Sequence, residues 1–386
     1  MPVITDVEAT SVVVPVSGEA SGSSYTKTGR GTTVVTVRTD EGDVGRVHAG
    51  DVTDSFPERA PEIVGIIEDE IAPTVVGRDL LTREAIWQDV YQASSKYFAY
   101  QQTRRFLYVH ALGAVDLAIW DAIGKRLDVP LYRLWGGYRD SVPVIAIGGY
   151  YEAGKTHDDL VAEMEAYREM GLAGVKLKVG GRSPEADLDR LAAVREGMGE
   201  AFVVACDANQ GYTVDEAVTF AEGAREYDVE WFEEPVAWYD QYEGMKTVRQ
   251  RTGIPVAAGQ SESTPSACRR LVDGDSVDVL NLDSSLAGGP TSWLKVARMA
   301  ELHGVDMAHH EEPHVSMHLL SAVPNGRYVE VFDPGLDPVW YELVADGPEI
   351  ADGPEIADGH LHLPDGPGLG IEYDEAFLDE HAVVHD

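Results

Sequence analysis

Seven polar residues close seven apolar segments at nearly even intervals. Lys178 follows GVKL, Asp207 follows FVVAC, Glu233 follows VEWF, Gln260 follows PVAAG, Asp283 follows VLNL, His310 follows DMAH and Glu330 follows RYV. The intervals are 29, 26, 27, 23, 27 and 20 residues, each about the length of one strand–helix unit. Asp207 and Glu233 offer hard oxygen donors of the kind Mg²⁺ takes while keeping positions open for substrate oxygens. A metal there stabilises negative charge developing on a carboxylate. Lys176 and Lys178 alternate along one strand, so both side chains point to one face. Two adjacent ammonium groups disfavour each other's protonation, which is expected to lower the pKa of Lys178 toward that of a usable base. Two of the chain's eight lysines stand here. Asp283 precedes His310 by one unit, and a carboxylate beside an imidazole orients it and raises its pKa. Together these residues make a two-sided acid/base site.

Such residues converge only if the strands that carry them lie side by side and point the same way. Short apolar segments near 143–148, 174–179, 202–206, 229–232, 254–258, 277–282, 305–308 and 328–331 alternate with helical patterns such as DLVAEMEAYREM and SWLKVARMAELHG. Eight strands with helices between them, over some 190 residues, predict an α/β fold of parallel βαβ units closed into a TIM-type barrel, whose catalytic mouth lies at the strand carboxyl ends. No glycine-rich fingerprint follows the first of these strands, which argues against a dinucleotide site. Ahead of the barrel, residues 2–16 read as a strand. Gly31–Arg38 and Asp43–His48 flank the turn Asp40-Glu41-Gly42 as a hairpin. Helical patterns follow at 57–72, 79–94 and 106–126. The Ser- and Gly-rich stretch 17–31, SGEASGSSYTKTGRG, is expected to be a loop serving as a lid. The hexapeptide ADGPEI occurs twice in succession at 345–356 and reads as a duplicated exposed turn.

Composition limits the partners. The 386 residues carry 67 acidic and 30 basic side chains, a formal net charge of −37. So anionic a surface disfavours nucleic acid and anionic membrane. Scarce lysine with abundant carboxylates is similar to proteins of high-salt cytoplasm, where screening makes the self-repulsion tolerable. Two cysteines, Cys206 and Cys268, fit a reducing compartment. The N-terminus shows no signal-peptide pattern and no 18-residue apolar run appears, so a cytoplasmic location is expected.

Several longer motifs go further. LAIWDAIGKRLDVPLYRLWGG (117–137), VKLKVG (175–180), DANQ (207–210), WFEEP (231–235), LDSSLAGGPTSW (282–293), HHEEPHVSMHLL (309–320) and YVEVFD (328–333) resemble the enolase superfamily, mandelate-racemase subgroup, over almost the whole chain. The resemblance implies an N-terminal α+β capping domain over residues 1–135, a modified (β/α)₇β barrel over 136–335 and a segment 336–386 returning to the cap. It implies a homo-oligomer, and a shared first step in which a base removes the proton α to a carboxylate while Mg²⁺ stabilises the resulting charge. By that pattern Lys178, tuned by Lys176, is the base on one face, and His310 with Asp283 the acid/base on the other. Asp207 and Glu233 are metal ligands, Asn209 holds substrate, and Glu330 bonds the substrate carboxylate or acts as an electrophile. One position departs from the pattern. The family's third ligand is a glutamate in a Gly-Glu motif, and here AGQSES places Gln260 there; either its amide oxygen coordinates or Glu262 reaches in.

The polar lid, with Tyr25 and Lys27, suits a polyhydroxylated substrate, so the expected activity is Mg²⁺-dependent dehydration of a sugar acid, aldonate or aldarate, to a 2-keto-3-deoxy acid. The alternatives are a racemase or epimerase of a 2-hydroxy acid using the same residues, and a non-catalytic binding protein on the same fold.

Overall fold

The computed structural model describes residues 1–49, 60–344 and 354–383. An antiparallel sheet opens the chain, with β1 (Ile4–Ser21), β2 (Thr26–Thr39) and β3 (Val44–Ala49) in that order. The turn between β2 and β3 is the expected one, with Gly42 at φ +89°. The segment 17–31 differs from the expected loop. β1 and β2 run through it as a hairpin with partners Ala20↔Lys27 and Val13↔Gly31, so that only residues 22–25 form the tip. Serine and glycine carry weak strand propensity, but pairing across the hairpin overrides it. The side chains of Lys27 and Arg30 are buried on its inner face.

The long helix Gln102–Leu127 joins cap to barrel. By length and composition it is apolar enough to cross a membrane, yet its apolar window is 94% buried inside the protein. Its small residues allow close approach: a Cβ on Gly113 would lie 2.3 Å from the carbonyl oxygen of Ser285. Asp116 accepts from Thr291 N and Oγ1, both at 2.8 Å, and Asp121 accepts from Arg46 N and Leu369 N, both at 2.9 Å. The helix thus ties the cap sheet, the barrel and the C-terminal segment together.

The eight expected strands are β4 (Ser141–Gly148), β5 (Gly174–Lys178), β6 (Val203–Asp207), β7 (Phe232–Glu233), β8 (Val256–Ala258), β9 (Val279–Asn281), β10 (Asp306–Ala308) and β11 (Val329–Val331). They pair in parallel from β4 to β10, and β11 returns to β4 while the Met307↔Gly326 bridge links it toward β10. Four of the helices between the strands begin on hydroxyl caps, Thr156, Ser183, Thr213 and Thr264, and those at Thr156 with Asp159 and Thr213 with Glu216 are reciprocal capping boxes. Ile145, Ala205, Trp231, Ala257, Val279 and Ala308 pack together as an apolar plug inside the barrel. The charged side chains lie at the opposite, carboxyl-end rim.

Residues 345–353 of the repeat lie outside the described residues. Beyond them β12 (Glu355–Ala357) and β13 (His360–His362) form a hairpin that extends the sheet antiparallel to β4. The helix Glu375–His381 then reaches the cap, where Glu375 pairs with Arg46 and Ala382 bridges Val12. Both cysteines are buried and free.

Three buried histidines join these parts, and a fourth, His110, is buried on the long helix. His48 stacks on His314 with ring centroids 3.6 Å apart, and His314 Nε2 donates to the His48 carbonyl at 2.8 Å. His318 Nε2 donates to Leu369 O while Nδ1 accepts from Tyr132 N. Burial drives His48 down to about 3 and His110 and His318 to about 4, and His314 also falls well below its ordinary value. The unfolded chain therefore binds more protons at acidic pH. The stability these neutral rings contribute is full above pH 6.5 and is lost as pH falls toward their folded values, by about 1.4 kcal/mol per pH unit for each ring. Asp116 and Glu233, raised by burial to about 7, take up protons in the folded state over the same range and offset part of this loss. With four rings against these two carboxyls, the midpoint of thermal unfolding is expected to drop between pH 6.5 and 5; a flat or rising profile would show that these rings do not resist protonation.

Candidate active site

Strand register builds the rim. Lys178 on β5 lies beside Asp207 on β6, and Asp207 beside Glu233 on β7. Lys176, two residues before Lys178, is fully buried and its Nζ lies 2.6 Å from Glu330 Oε1, 2.9 Å from Glu233 Oε1 and 3.9 Å from Asp207 Oδ2. Asn281 Nδ2 donates to the same Glu233 and Glu330 oxygens at 2.8 and 3.3 Å, and Trp231 Nε1 donates to Glu233 Oε2 at 3.0 Å. Lys178 Nζ bonds Asp207 Oδ2 at 2.7 Å and Asn209 Oδ1 at 2.8 Å. The hairpin tip closes over this side, with Ser23 Oγ donating to Asn209 O at 3.1 Å and Tyr25 OH to Asn209 Oδ1 at 3.4 Å.

These contacts correct the expected tuning of Lys178. Burial penalises both ammonium groups, but the carboxylates outweigh it: Asp207 raises Lys178 well above its ordinary value, and Glu233, Glu330 and Asp207 raise Lys176. Mutual repulsion of the two lysines is the smaller effect. Burial also pushes Asp207 upward, but Lys178 and Lys176 hold it below the usual range. Glu233 rises to about 7, since burial and the charges of Asp207 and Glu330 prevail over Lys176. Glu330, expected to face substrate, is instead bonded to Lys176.

His310 occupies the other side, its Nδ1 3.3 Å from Asp283 Oδ2. Its Nε2 lies 3.5 Å from Glu311 Oε1. Burial opposes the imidazolium, yet Glu311 and Asp283 raise it to about 9. Glu234, whose charge bears on both Asp207 and His310, is held by Ser261 Oγ at 2.7 Å and Gln210 Nε2 at 3.2 Å. Lysine arm, carboxylates and histidine arm thus share one barrel mouth under the cap hairpin.

Family models agree with this architecture. Residues 5–136 match the mandelate racemase/muconate lactonizing enzyme N-terminal domain, and residues 159–377 match the enolase C-terminal domain-like model. The chain belongs to the mandelate racemase/muconate lactonizing enzyme family. It is 29% identical to an arabinonate dehydratase of Saccharolobus solfataricus over 82% of each chain. It is 32% identical to a D-galactarolactone cycloisomerase of Agrobacterium fabrum, over 79% of this chain and 81% of that one. The structure of a family member from a marine actinobacterium in complex with magnesium matches with 40% identity, TM-score 0.89 and full coverage of both chains.

Within this family frame the donor set can be tested for a divalent cation. Asp207 and Glu233 present buried carboxylates on adjacent strands. Gln260 follows β8, the next strand, and its Oε1 is shielded from solvent with no hydrogen-bond donor among the described residues. A buried amide oxygen without a donor is costly unless something electropositive faces it. Glu262 lies elsewhere: its Oε1 accepts from Gln241 Nε2 at 2.6 Å and Tyr242 OH at 3.1 Å, and it lines a cleft of about 1030 Å³ with Arg105 and Arg270. The residues fit a metal held by Asp207, Glu233 and Gln260. The ligand atoms of Asp283, His309 and Glu312 also lie within 4.8 Å of one another. His309 Nε2, however, accepts from Ser284 N, and Glu312 Oε2 from Ser285 Oγ.

Strand-end reading missed Trp231, Asn281, Glu234 and Glu311. Asn281 and Asp283 alternate as Lys176 and Lys178 do, which is the signal that would have found Asn281. In a calorimetric Mg²⁺ titration, Gln260→Ala is expected to weaken binding by about tenfold or more, equivalent to roughly 1.4 kcal/mol, and Glu262→Ala to leave it unchanged. The reverse ranking would reassign the third ligand.

Proposed function

We propose that this chain is a Mg²⁺-dependent dehydratase of a sugar acid, an aldonate or an aldarate, forming a 2-keto-3-deoxy acid. The observation that carries the reading is the pair of opposed arms, Lys178 and His310–Asp283, across the Asp207/Glu233 cluster. An arabinonate dehydratase among the relatives supports it. Polar groups at the hairpin tip and on Asn209 supply partners for several hydroxyls.

In this reading, Asp207, Glu233 and Gln260 hold the metal, which when bound supplies positive charge against the substrate's carboxylate oxygens. Lys178, as free amine, takes the proton from the carbon α to the carboxylate. Its ammonium is now held by Asp207 and Asn209, so productive binding must draw these partners away. The electron pair left by the C–H bond forms the C2–C3 double bond as the β C–O bond breaks. His310, a protonated imidazole at neutral pH, gives its proton to the departing hydroxyl, so that water leaves. The enol then takes a proton at C3 and becomes the 2-keto acid. Asp283 keeps the imidazole oriented through Nδ1. Asn209, between Lys178 and the hairpin tip, positions the substrate at the base. Lys176 pairs with Glu330 and Glu233 beneath the cluster and opposes protonation of its carboxylates.

The charge of −37 is read as suited to concentrated salt, so the decisive assay combines Mg²⁺ with high salt. A panel of aldonic and aldaric acids is expected to yield 2-keto product. Lys178→Ala should lose roughly 10²–10⁴ of the rate, the usual worth of a positioned base. Exchange at the α carbon without water loss would move the assignment to a racemase or epimerase, and no turnover of any acid would end the dehydratase reading.

A further inference from the structure

Three parts of the molecule meet at Glu311. After β10 the backbone places Glu311 at φ +53° and Glu312 at φ +49°, a left-handed conformation that side chains other than glycine seldom adopt. Strain of this kind persists where surrounding contacts over-determine it. Here it turns Glu311 N toward Glu330 Oε2 at 3.2 Å and sets the carboxylate between two cations. Oε1 lies 3.5 Å from His310 Nε2, and Oε2 lies 2.8 Å from Arg30 Nη1. Arg30 comes from β2 of the cap. Its other nitrogen, Nη2, lies 3.4 Å from Asp337, and its guanidinium carbon lies 4.8 Å from the Phe332 ring centroid. Arg30 and Glu311 side chains are only 5% and 10% exposed.

His310 therefore has a carboxylate at each ring nitrogen, Asp283 at Nδ1 and Glu311 at Nε2. A dyad needs only the first. With one partner an imidazole can still rotate about that bond; a second carboxylate 3.5 Å from Nε2, longer than a hydrogen bond, favours the charged ring and the orientation that faces it while leaving that N–H to be given up. We propose that Glu311 is a positioning residue for His310 and that Arg30 sets the Glu311 carboxylate in place, so that a cap strand completes the acid of the barrel. The proposal rests on the preceding reading only in taking His310 as the proton donor.

Among the described residues, the other charges facing the ring are few. Asp283 approaches from the loop after β9, Glu234 from the loop after β7, Lys176 from β5 and His309 from the same segment. Lys27, on the same cap strand as Arg30, also bears on the Glu311 carboxylate. Glu311 is the strongest favourable influence on the charged form of His310, ahead of the Asp283 hydrogen bond, and burial is the opposing effect. Arg30 touches Glu311 directly, so its influence on the ring runs through that carboxylate. Displacing β2 would remove Arg30 from this chain of contacts and leave Glu311 to find another orientation.

The test uses the full chain with ¹⁵N-labelled histidine in Mg²⁺ buffer, following the His310 titration by NMR, with His310→Gln identifying the signal. Glu311→Gln is expected to lower proton affinity at His310 by tenfold or more, and Glu311→Asp to recover part of it. Arg30→Met should also shift the titration, and the double variant Arg30→Met/Glu311→Gln should titrate like Glu311→Gln alone. A wild-type His310 titration in folded Glu311→Gln would make Glu311 a counter-ion of Arg30 and overturn the proposal. Additive shifts in the double variant would overturn the route through Glu311. These signals need no substrate, so an inactive sugar-acid panel would end the dehydratase reading without deciding this one. With substrate, the alkaline limb of the kcat profile should move down with the titration.

Discussion

A buried ammonium group among three carboxylates is the interaction on which the rest of this structure depends. Lys176 Nζ sits within 4 Å of oxygens from Glu233, Glu330 and Asp207, with no solvent exposure. Ions in such a place are tolerated only when paired and hydrogen-bonded, and removing one partner of a buried pair typically costs about 3–5 kcal/mol. Asn281 and Trp231 take up remaining valences on Glu233, which keeps the cluster compatible with a dry barrel mouth. Without Lys176, Asp207 and Glu233 would face one another as like charges and at least one would take up a proton. A neutral carboxyl is a poor ligand for a hard cation, and the same ammonium that stabilises the fold opposes that protonation: it helps hold Asp207 below the usual range and limits the rise of Glu233, which burial and its carboxylate neighbours still carry to about 7.

From that cluster the two arms of the proposed reaction separate by strand position. Lys178 is one step along β5 from Lys176 on the same face, and His310 stands across the mouth with its own carboxylates. The cap completes both sides through one hairpin: Tyr25 and Ser23 reach Asn209 beside Lys178, while Arg30 reaches Glu311 beside His310. For the acid proposed as substrate, a strongly anionic protein needs local positive charge to overcome its own field. Lys176, Lys178, Lys27 and Arg30 gather that charge in one buried region, although the chain has 37 more acidic than basic side chains.

Much of this was legible in the sequence because a parallel barrel repeats one simple rule. Each apolar strand ends in a residue directed at the mouth, so even spacing revealed Lys178, Asp207, Glu233, Asp283 and His310 together, and all eight strands form near the expected places. Interactions that depend on side-chain reach were not legible. Glu262 looked able to replace the missing glutamate, but it turns toward Gln241 and Tyr242. Glu330 looked directed at substrate, yet Lys176 engages it. The depressed pKa expected for Lys178 assumed that its nearest charge was the other lysine, whereas Asp207 lies 2.7 Å away. Composition misled at 17–31, where pairing between strands outweighs the weak propensity of serine and glycine. Glu311 could not be read at all, because its placement depends on a left-handed turn and on an arginine 281 positions away.

The central claim is that Lys178 removes a proton α to a carboxylate. Its most direct test is the loss of deuterium from C2-deuterated aldonic and aldaric acids to solvent, measured by ²H NMR under high salt with Mg²⁺. Wild type is predicted to release deuterium from at least one acid, and Lys178→Ala to release none above background while still binding Mg²⁺. Deuterium release by Lys178→Ala at the wild-type rate would contradict the account.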